Sequence, residues 1–263
     1  MNTPINVVGR VAAVLRVVSH RGDDGASTSE VARDAGLARP TAHRLLTSLA
    51  EEGLVDRDGR GRWLLGPELY LLGSVAATRY DVTEAALPFV RSLAEASGES
   101  AFFSARRGDE TVCLLREEGS FPIRSHVLYE GVRFPLGVAS AGLAILAYLP
   151  DDQITAYLDR VDVGATHGSA HAAERLRERI ATTRAAGFAV NPGLIVEGSW
   201  GMGAAVFDRA GEPRWALSLT GIEQRFTPER RERMGHLLLR TAHALTTTLR
   251  ERSPLGPTMP GRT

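Results

Sequence analysis

The sequence predicts an α+β chain of two domains: a winged helix-turn-helix at the N-terminus and a larger unit of sheet and helices behind it. Three observations lead there. Residues 29–52 carry apolar residues at spacings of three and four in two short runs broken at Gly36. Two short apolar runs around a Gly- and Arg-rich turn follow at residues 53–65. Beyond Gly98 the texture changes to strand-like runs punctuated by glycine turns and interleaved with helices.

Taken in order, residues 7–19 predict a first helix with Val11, Val14, Leu15 and Val18 on its inner side. Ser27 or Thr28 supplies an N-cap for the next helix, with Glu30 in its first turn. Val31, Ala32 and Ala35 form the apolar edge of that helix. Gly36 is where it must stop and turn, at least cost for a residue without Cβ. In the following helix Ala42, Leu45, Leu46 and Leu49 face inward, and Pro40 falls in the first turn, where its missing N–H removes no intrahelical bond. An ordinary αα-hairpin has the same periodicity. Against that reading, residues 35–50 carry Arg39, His43 and Arg44 but no acid, so the polar face is positive and suits the DNA major groove. The turn from Asp56 to Arg62 then reads as a β-wing beside this helix.

Residues 67–77 predict a linker helix, started by Pro67 and apolar almost all round, which implies packing against a second copy of itself, with burial inside the same chain as the alternative. An amphipathic helix at 82–97 ends at Gly98. Strand-like runs at 100–106, 111–117 and 123–128 imply an antiparallel meander. A buried, small-residue helix at 138–149 stops at Pro150, and helices follow at 151–159 and 171–186. Further strands are expected at 188–190, 201–208 and 214–219, and Thr227-Pro228-Glu229 opens a final long helix with Leu238, Leu245 and Leu249 inside. The boundaries are therefore 1–66 for the helix-turn-helix domain, 67–80 for the linker, 81–252 for the second domain, and 253–263 for a Pro- and Gly-rich tail expected to be disordered.

The 263 residues contain 43% hydrophobic and 24% charged residues, ordinary for a soluble globular protein with a proper core. The formal net charge is zero, so any DNA affinity must come from where the charge is placed. The single cysteine, Cys113, sits in an apolar run, which excludes an intrachain disulfide and points to packing. No signal peptide or membrane span is evident, and a cytoplasmic location is the default. No nucleophile elbow, metal-spaced His pair or P-loop is present, so no catalytic, metal or cofactor residue is assigned and an enzyme is not expected.

The chain resembles the IclR family of bacterial transcription regulators. The resemblance lies in Ser29-Glu30-Val31-Ala32, Gly36-Leu37, Thr41-Ala42-His43-Arg44-Leu45-Leu46 and Gly61-Arg62-Trp63-Leu64-Leu65-Gly66. It continues in Phe134-Pro135-Leu136, Ala139-Ser140-Ala141-Gly142, Ala186-Gly187-Phe188-Ala189-Val190, Ala204-Ala205-Val206-Phe207-Asp208 and Ala216-Leu217-Ser218-Leu219-Thr220-Gly221. It implies a winged helix-turn-helix, a linker helix, a GAF-like effector-binding domain, and a homodimer or dimer of dimers on operator DNA, with repression as the family default. Three positions depart from the family pattern. Gly137 replaces a histidine, Leu143 a lysine and Gly201 a cysteine. Each change removes a polar or charged group, which suggests a bulkier, partly apolar effector.

Off the apolar stripe of the second helix lie Arg39, Pro40, Thr41, His43 and Arg44. Arg39 and Arg44 suit base or phosphate contact, since an Arg fork reads guanine O6 and N7. Thr41 suits phosphate at a helix start, and His43 is either a contact or a solvated surface residue. Arg60 and Arg62 on the wing are expected at the backbone or minor groove. For the effector, the resemblance brings forward Ser218 and Thr220, with Ala139, Ser140, Gly201 and Met202 on other lining segments and Tyr129 and Trp200 as an aromatic wall. Trp200 and Met202 read equally as core. A regulator working through protein contacts without DNA is the alternative function.

Overall fold

The computed structural model describes residues 6–77, 82–123 and 127–252. The chain divides into two compact units, Met1–Asp81 and Val82–Thr263. The expected disordered tail from residue 253 lies outside the described residues, as do the last residues assigned to the linker. Among the described residues no helix is long and apolar enough to cross a membrane.

The first unit runs α1 (Val7–His20), α2 (Thr28–Asp34), α3 (Arg39–Glu51), β1 (Val55–Arg57), β2 (Trp63–Leu65) and α4 (Pro67–Ala77). Val14, Val18, Val31, Ala42 and Leu46 close its core, the positions that the helical spacing marks as apolar. Ser27 and Glu30 form a reciprocal capping box at the start of α2. After α2 the chain reverses at Gly36, whose φ of +64° is a left-handed conformation, and the Leu37 N–H returns to Ala32 O. The wing is a two-stranded antiparallel ribbon pairing Val55 with Leu65. Ala26 adds a bridge to Trp63, and the Trp63 indole N–H donates to Thr28 Oγ1 at 3.0 Å, tying the wing to the start of α2.

The second unit runs α5 (Val82–Ser97), β3 (Ser100–Arg107), β4 (Glu110–Glu117), β5 (Arg133–Pro135), α6 (Ser140–Ala147), α7 (Asp151–Arg160), α8 (Val163–His167), α9 (Ala173–Ala186), β6 (Ala189–Pro192), β7 (Ser199–Phe207), β8 (Pro213–Ile222) and α10 (Pro228–Arg252). Six strands form one antiparallel sheet in the order β5-β4-β3-β8-β7-β6. One face, through Ala101, Phe103, Met202, Ala204, Leu217 and Leu219, packs on α5 and α10. The other face meets α6.

One expected strand is misplaced. The third strand of the meander is not at 123–128; its described residues, Ile123, Val127 and Leu128, are outside any strand, and residues 124–126 lie outside the described set. The strand is β5, five residues beyond Leu128, pairing Val112 with Arg133 and Glu110 with Pro135. A proline is tolerated there because β5 is the sheet edge.

Helix α6 is buried along its whole length and rests directly on β7. A Cβ at Gly203 would lie 2.7 Å from Ser140 O and 3.0 Å from Ala141 N, both backbone atoms with no room to yield. Gly203→Ala is therefore expected to destabilise the protein by ~1–3 kcal/mol, the usual cost of overpacking. Urea denaturation followed by circular dichroism checks this, and an unchanged midpoint would show that α6 is free to lift.

Candidate functional site

In the first unit α3 is held from behind by Ala42, Leu46 and Leu49, so its other side is open. Arg39, Pro40, His43 and Arg44 are exposed along it, and Thr41 is half-buried. Ala38 precedes the helix and gives no side-chain cap; Pro40 has no N–H to satisfy, and the Thr41 N–H returns to Ala38 O at 2.9 Å. On the wing, Asp58 Oδ1 accepts the backbone N–H groups of Arg60 and Arg62, at 2.9 and 2.7 Å, and so shapes the tip. Arg60 is exposed there.

Arg62 departs from expectation. Its guanidinium turns inward, donating to Gly25 O at 3.1 and 2.6 Å and pairing with Glu30 at 3.2 Å. Glu30 is held below the usual carboxylate range, chiefly by the Ser27 backbone N–H and hydroxyl, with Arg62 and Arg21 adding to the effect. Arg62 therefore joins the wing to the α2 cap through its Nε and Nη2.

In the second unit a small pocket opens between the sheet, the start of α6 and two loops. Its floor is Gly201, Thr220 and Ser140; its walls include Leu128, Asn191, Ile195 and Trp200. Of the residues that the sequence reading brings forward for an effector, Ala139, Ser140, Trp200, Gly201 and Thr220 lie on this lining. Three other candidates lie elsewhere. Met202, one residue from Gly201, points to the opposite face of the sheet and is wholly buried with the α5–α10 core. Ser218 is on the pocket face, but it pairs with Gly203 under the first turn of α6 and lies outside the lining. Tyr129 follows Leu128 and is partly exposed outside the pocket. Trp200 is not a bare wall: Phe226 lies 6.2 Å from its ring and the Arg231 guanidinium 5.0 Å.

Val127, Leu128, Asn191, Ile195 and Ser199 are lining residues that the sequence reading misses. The one available signal is Asn191, a polar residue two positions from buried Ala189 in a short apolar strand. Its amide donates to Val138 O at 2.6 Å and accepts from Leu194 N at 2.9 Å. It thereby fixes the loop that carries Ile195.

The stretch leading into α6 is pinned at three consecutive carbonyls. Tyr157 Oη donates to Leu136 O at 2.7 Å, Arg179 Nη1 to Gly137 O at 3.2 Å, and Asn191 to Val138 O. Buried His171 lies against the same stretch, with Nε2 3.4 Å from Val138 O. Burial and then Arg179 lower its pKa. Burial likewise pushes the Arg179 guanidinium down to about 10. Cys113, as expected, is packed away, its thiol pushed up to about 12 by burial.

The IclR helix-turn-helix domain model matches residues 7–59, and the bacterial transcriptional regulator IclR C-terminal model matches residues 74–247. The chain belongs to the IclR family. As a member of that family it is a transcriptional regulator with an N-terminal DNA-binding domain and a C-terminal effector domain. It is 28% identical over 221 residues to the transcriptional repressor IclR of Escherichia coli, covering 83% of this chain and 81% of that one. The IclR regulator of Alicyclobacillus acidocaldarius superposes with a TM-score of 0.74 at 25% identity, over 94% of this chain and all of that one. An IclR homologue of Microbacterium hydrocarbonoxydans, solved with 4-hydroxybenzoate, shares the fold at a TM-score of 0.72 and 24% identity, over 93% and 99% of the two chains.

Two hydroxyls in this unit should respond oppositely to removal. Tyr157→Phe leaves the buried Leu136 carbonyl without its donor and is expected to cost ~1–3 kcal/mol. Thr220→Val removes a hydroxyl that has no partner among the described residues and is expected to leave stability unchanged or slightly higher. Paired thermal melts check both, and a destabilised Thr220→Val would reveal a partner for that hydroxyl within the fold.

Proposed function

We propose that the chain is a repressor that reads operator DNA with α3, as a homodimer or dimer of dimers, and releases it when a small-molecule effector fills the pocket. The observation that carries this reading is the outer side of α3 from Arg39 to Arg44, which holds no acid and where Arg39, Pro40, His43 and Arg44 are all exposed. Arg39 and Arg44 are assigned to base edges, Thr41 to a phosphate at the helix start, and Arg60 to the backbone or minor groove beside the wing. His43 takes a flanking contact. Arg62 is reassigned from contact to positioning.

Pairing is supported by α4. Tyr70 and Val75 are 77% and 75% exposed, with Leu71 and Leu72 also open. So continuous an apolar surface is uncommon on a free helix. A second copy is the occupant assigned to it. The effector is assigned an apolar part because Leu128 and Ile195 wall the pocket, and the ring-bearing ligand of the Microbacterium relative supports this. Control then follows from linkage. An effector that prefers one arrangement of the protein lowers operator affinity by its differential affinity, typically ~1–3 kcal/mol.

A mobility-shift titration against the DNA upstream of the chain's own gene tests the function directly. A salt-sensitive, sequence-specific shift is expected; no shift at low ionic strength would leave regulation through protein contacts as the better reading. Arg44→Ala is expected to cost ~1–3 kcal/mol in operator affinity and to relax base choice at one position. Equal affinity and selectivity would remove Arg44 from the contact set. The double substitution Tyr70→Asp, Val75→Asp is expected to yield monomers by light scattering while leaving the melting of the second unit unchanged.

A further inference from the structure

The stretch that leads into α6 is held on one side by two basic side chains with no acid to balance them. His171, 1% exposed, lies between α8 and α9. Both of its ring nitrogens face backbone carbonyls, Nδ1 at 2.9 Å from His167 O and Nε2 at 3.4 Å from Val138 O. A neutral imidazole has one N–H and can serve only one of them. The shorter contact takes the proton. The Nε2 lone pair is then left against a carbonyl that already accepts from Asn191 of β6 at 2.6 Å. From α9 the charged neighbour is Arg179, whose Nη1 donates to Gly137 O while its buried Nε and Nη2 have no partner among the described residues. From α8 it is His167, its ring centre 6.2 Å away and its own Nδ1 2.8 Å from Thr166 Oγ1. Among the described residues no carboxylate acts on His171 or pairs with Arg179. Burial and then the Arg179 charge hold His171 below its ordinary value. The stability drawn from a neutral ring is therefore complete above the ordinary value of 6.5 and is lost as the pH falls below it.

We propose that His171 and Arg179 form a proton-operated latch on the start of α6. With the ring neutral, the segment from α8 to α9 holds the Gly137 and Val138 backbone in place. When the ring takes up a proton, two cations face each other in the interior with no acid between them, and the segment parts from that backbone. Residues 136–139 are then released, and with them Ser140 at the head of α6. Acid thus loosens this corner of the second unit ahead of the sheet. The latch does not depend on what the pocket holds.

The test is hydrogen–deuterium exchange of the full-length protein at about pH 7.5 and about pH 5.5, corrected for the intrinsic pH dependence of exchange. Once released, His171 titrates at its ordinary value, so each pH unit below it favours the open form about tenfold. In the wild type, protection of residues 136–143 is expected to fall about tenfold between the two conditions, while β3 and β8 change by less than about twofold. His171→Asn keeps a donor for His167 O but cannot take a proton, and is expected to abolish the fall. Equal protection at both pH values in the wild type overturns the latch. So does an undiminished fall in His171→Asn, or an equal fall in β3 and β8, which would mean that the whole unit loosens. If His171→Asn does not fold, Arg179→Gln decides: without the guanidinium the fall is expected to shrink, and an unchanged fall overturns the opposition of the two charges on which the latch rests.

Discussion

The effector unit depends on the contact between α6 and β7 at Gly203. Because no side chain intervenes, the backbone of Ser140 and Ala141 reaches the sheet surface. That approach brings the first turn of α6 over Gly201, two residues along the same face of the strand. The pocket is the space left where the helix begins and the sheet continues. Pinning of the Leu136, Gly137 and Val138 carbonyls by Tyr157, Arg179 and Asn191 then fixes where that helix starts. A set of polar side chains, each outside or at the edge of the pocket, thus decides the position of the one hydroxyl, that of Ser140, that α6 contributes to its floor.

In the first unit the comparable question is how a nearly neutral domain presents a positive face. The answer is sorting of partners. Arg21 and Arg33 pair with Asp34, and Arg62 pairs with Glu30. Among the described residues no ion pair engages Arg39, Arg44 or Arg60, which stand out on α3 and the wing tip. Glu30 and Asp34 are thus matched to cations around α2, where the Arg62 pair ties the wing to the start of that helix. Net charge misses this because it sums over both sides, and screening beyond ~10 Å means that only the local face matters to a docked duplex.

How much of this is legible in the sequence varies with the range of the interactions involved. The helix-turn-helix is fully readable, because its signals are local: spacing of Ala42, Leu46 and Leu49, a positive-φ glycine at 36, and Ser27–Glu30 capping. Strand position is less so. The apolar residues of 123–128 look stronger than Arg133-Phe134-Pro135, yet the latter pair with β4, because an edge strand needs only one line of backbone bonds and not a hydrophobic face. Within β7 the sequence finds the strand but cannot say which alternate residues face the pocket, so Gly201 and Met202 come out together although they lie on opposite faces. Leu128, Asn191 and Ile195 arrive from segments far apart in the chain, and only the folded sheet brings them to one place.

That alternation also bears on how a ligand could influence the rest of the molecule. Gly201 and Thr220 form the pocket floor, and their immediate neighbours Met202 and Leu219 are buried on the reverse side in the core shared with α5 and α10. Interiors packed at this density transmit displacement rather than absorbing it. A shift of the floor strands therefore cannot be confined to the pocket face; it is felt by Ala86, Val90 and Leu93 of α5, which belong to the same core. Helix α5 is the first element after the segment that follows α4, so the polypeptide leaving this core on its N-terminal side is the one that leads to the DNA-binding unit. Differential ligand affinity needs a shared element with two arrangements. The β7–β8 pair, polar toward the pocket and apolar toward the core shared with α5 and α10, is the element of this fold that borders both.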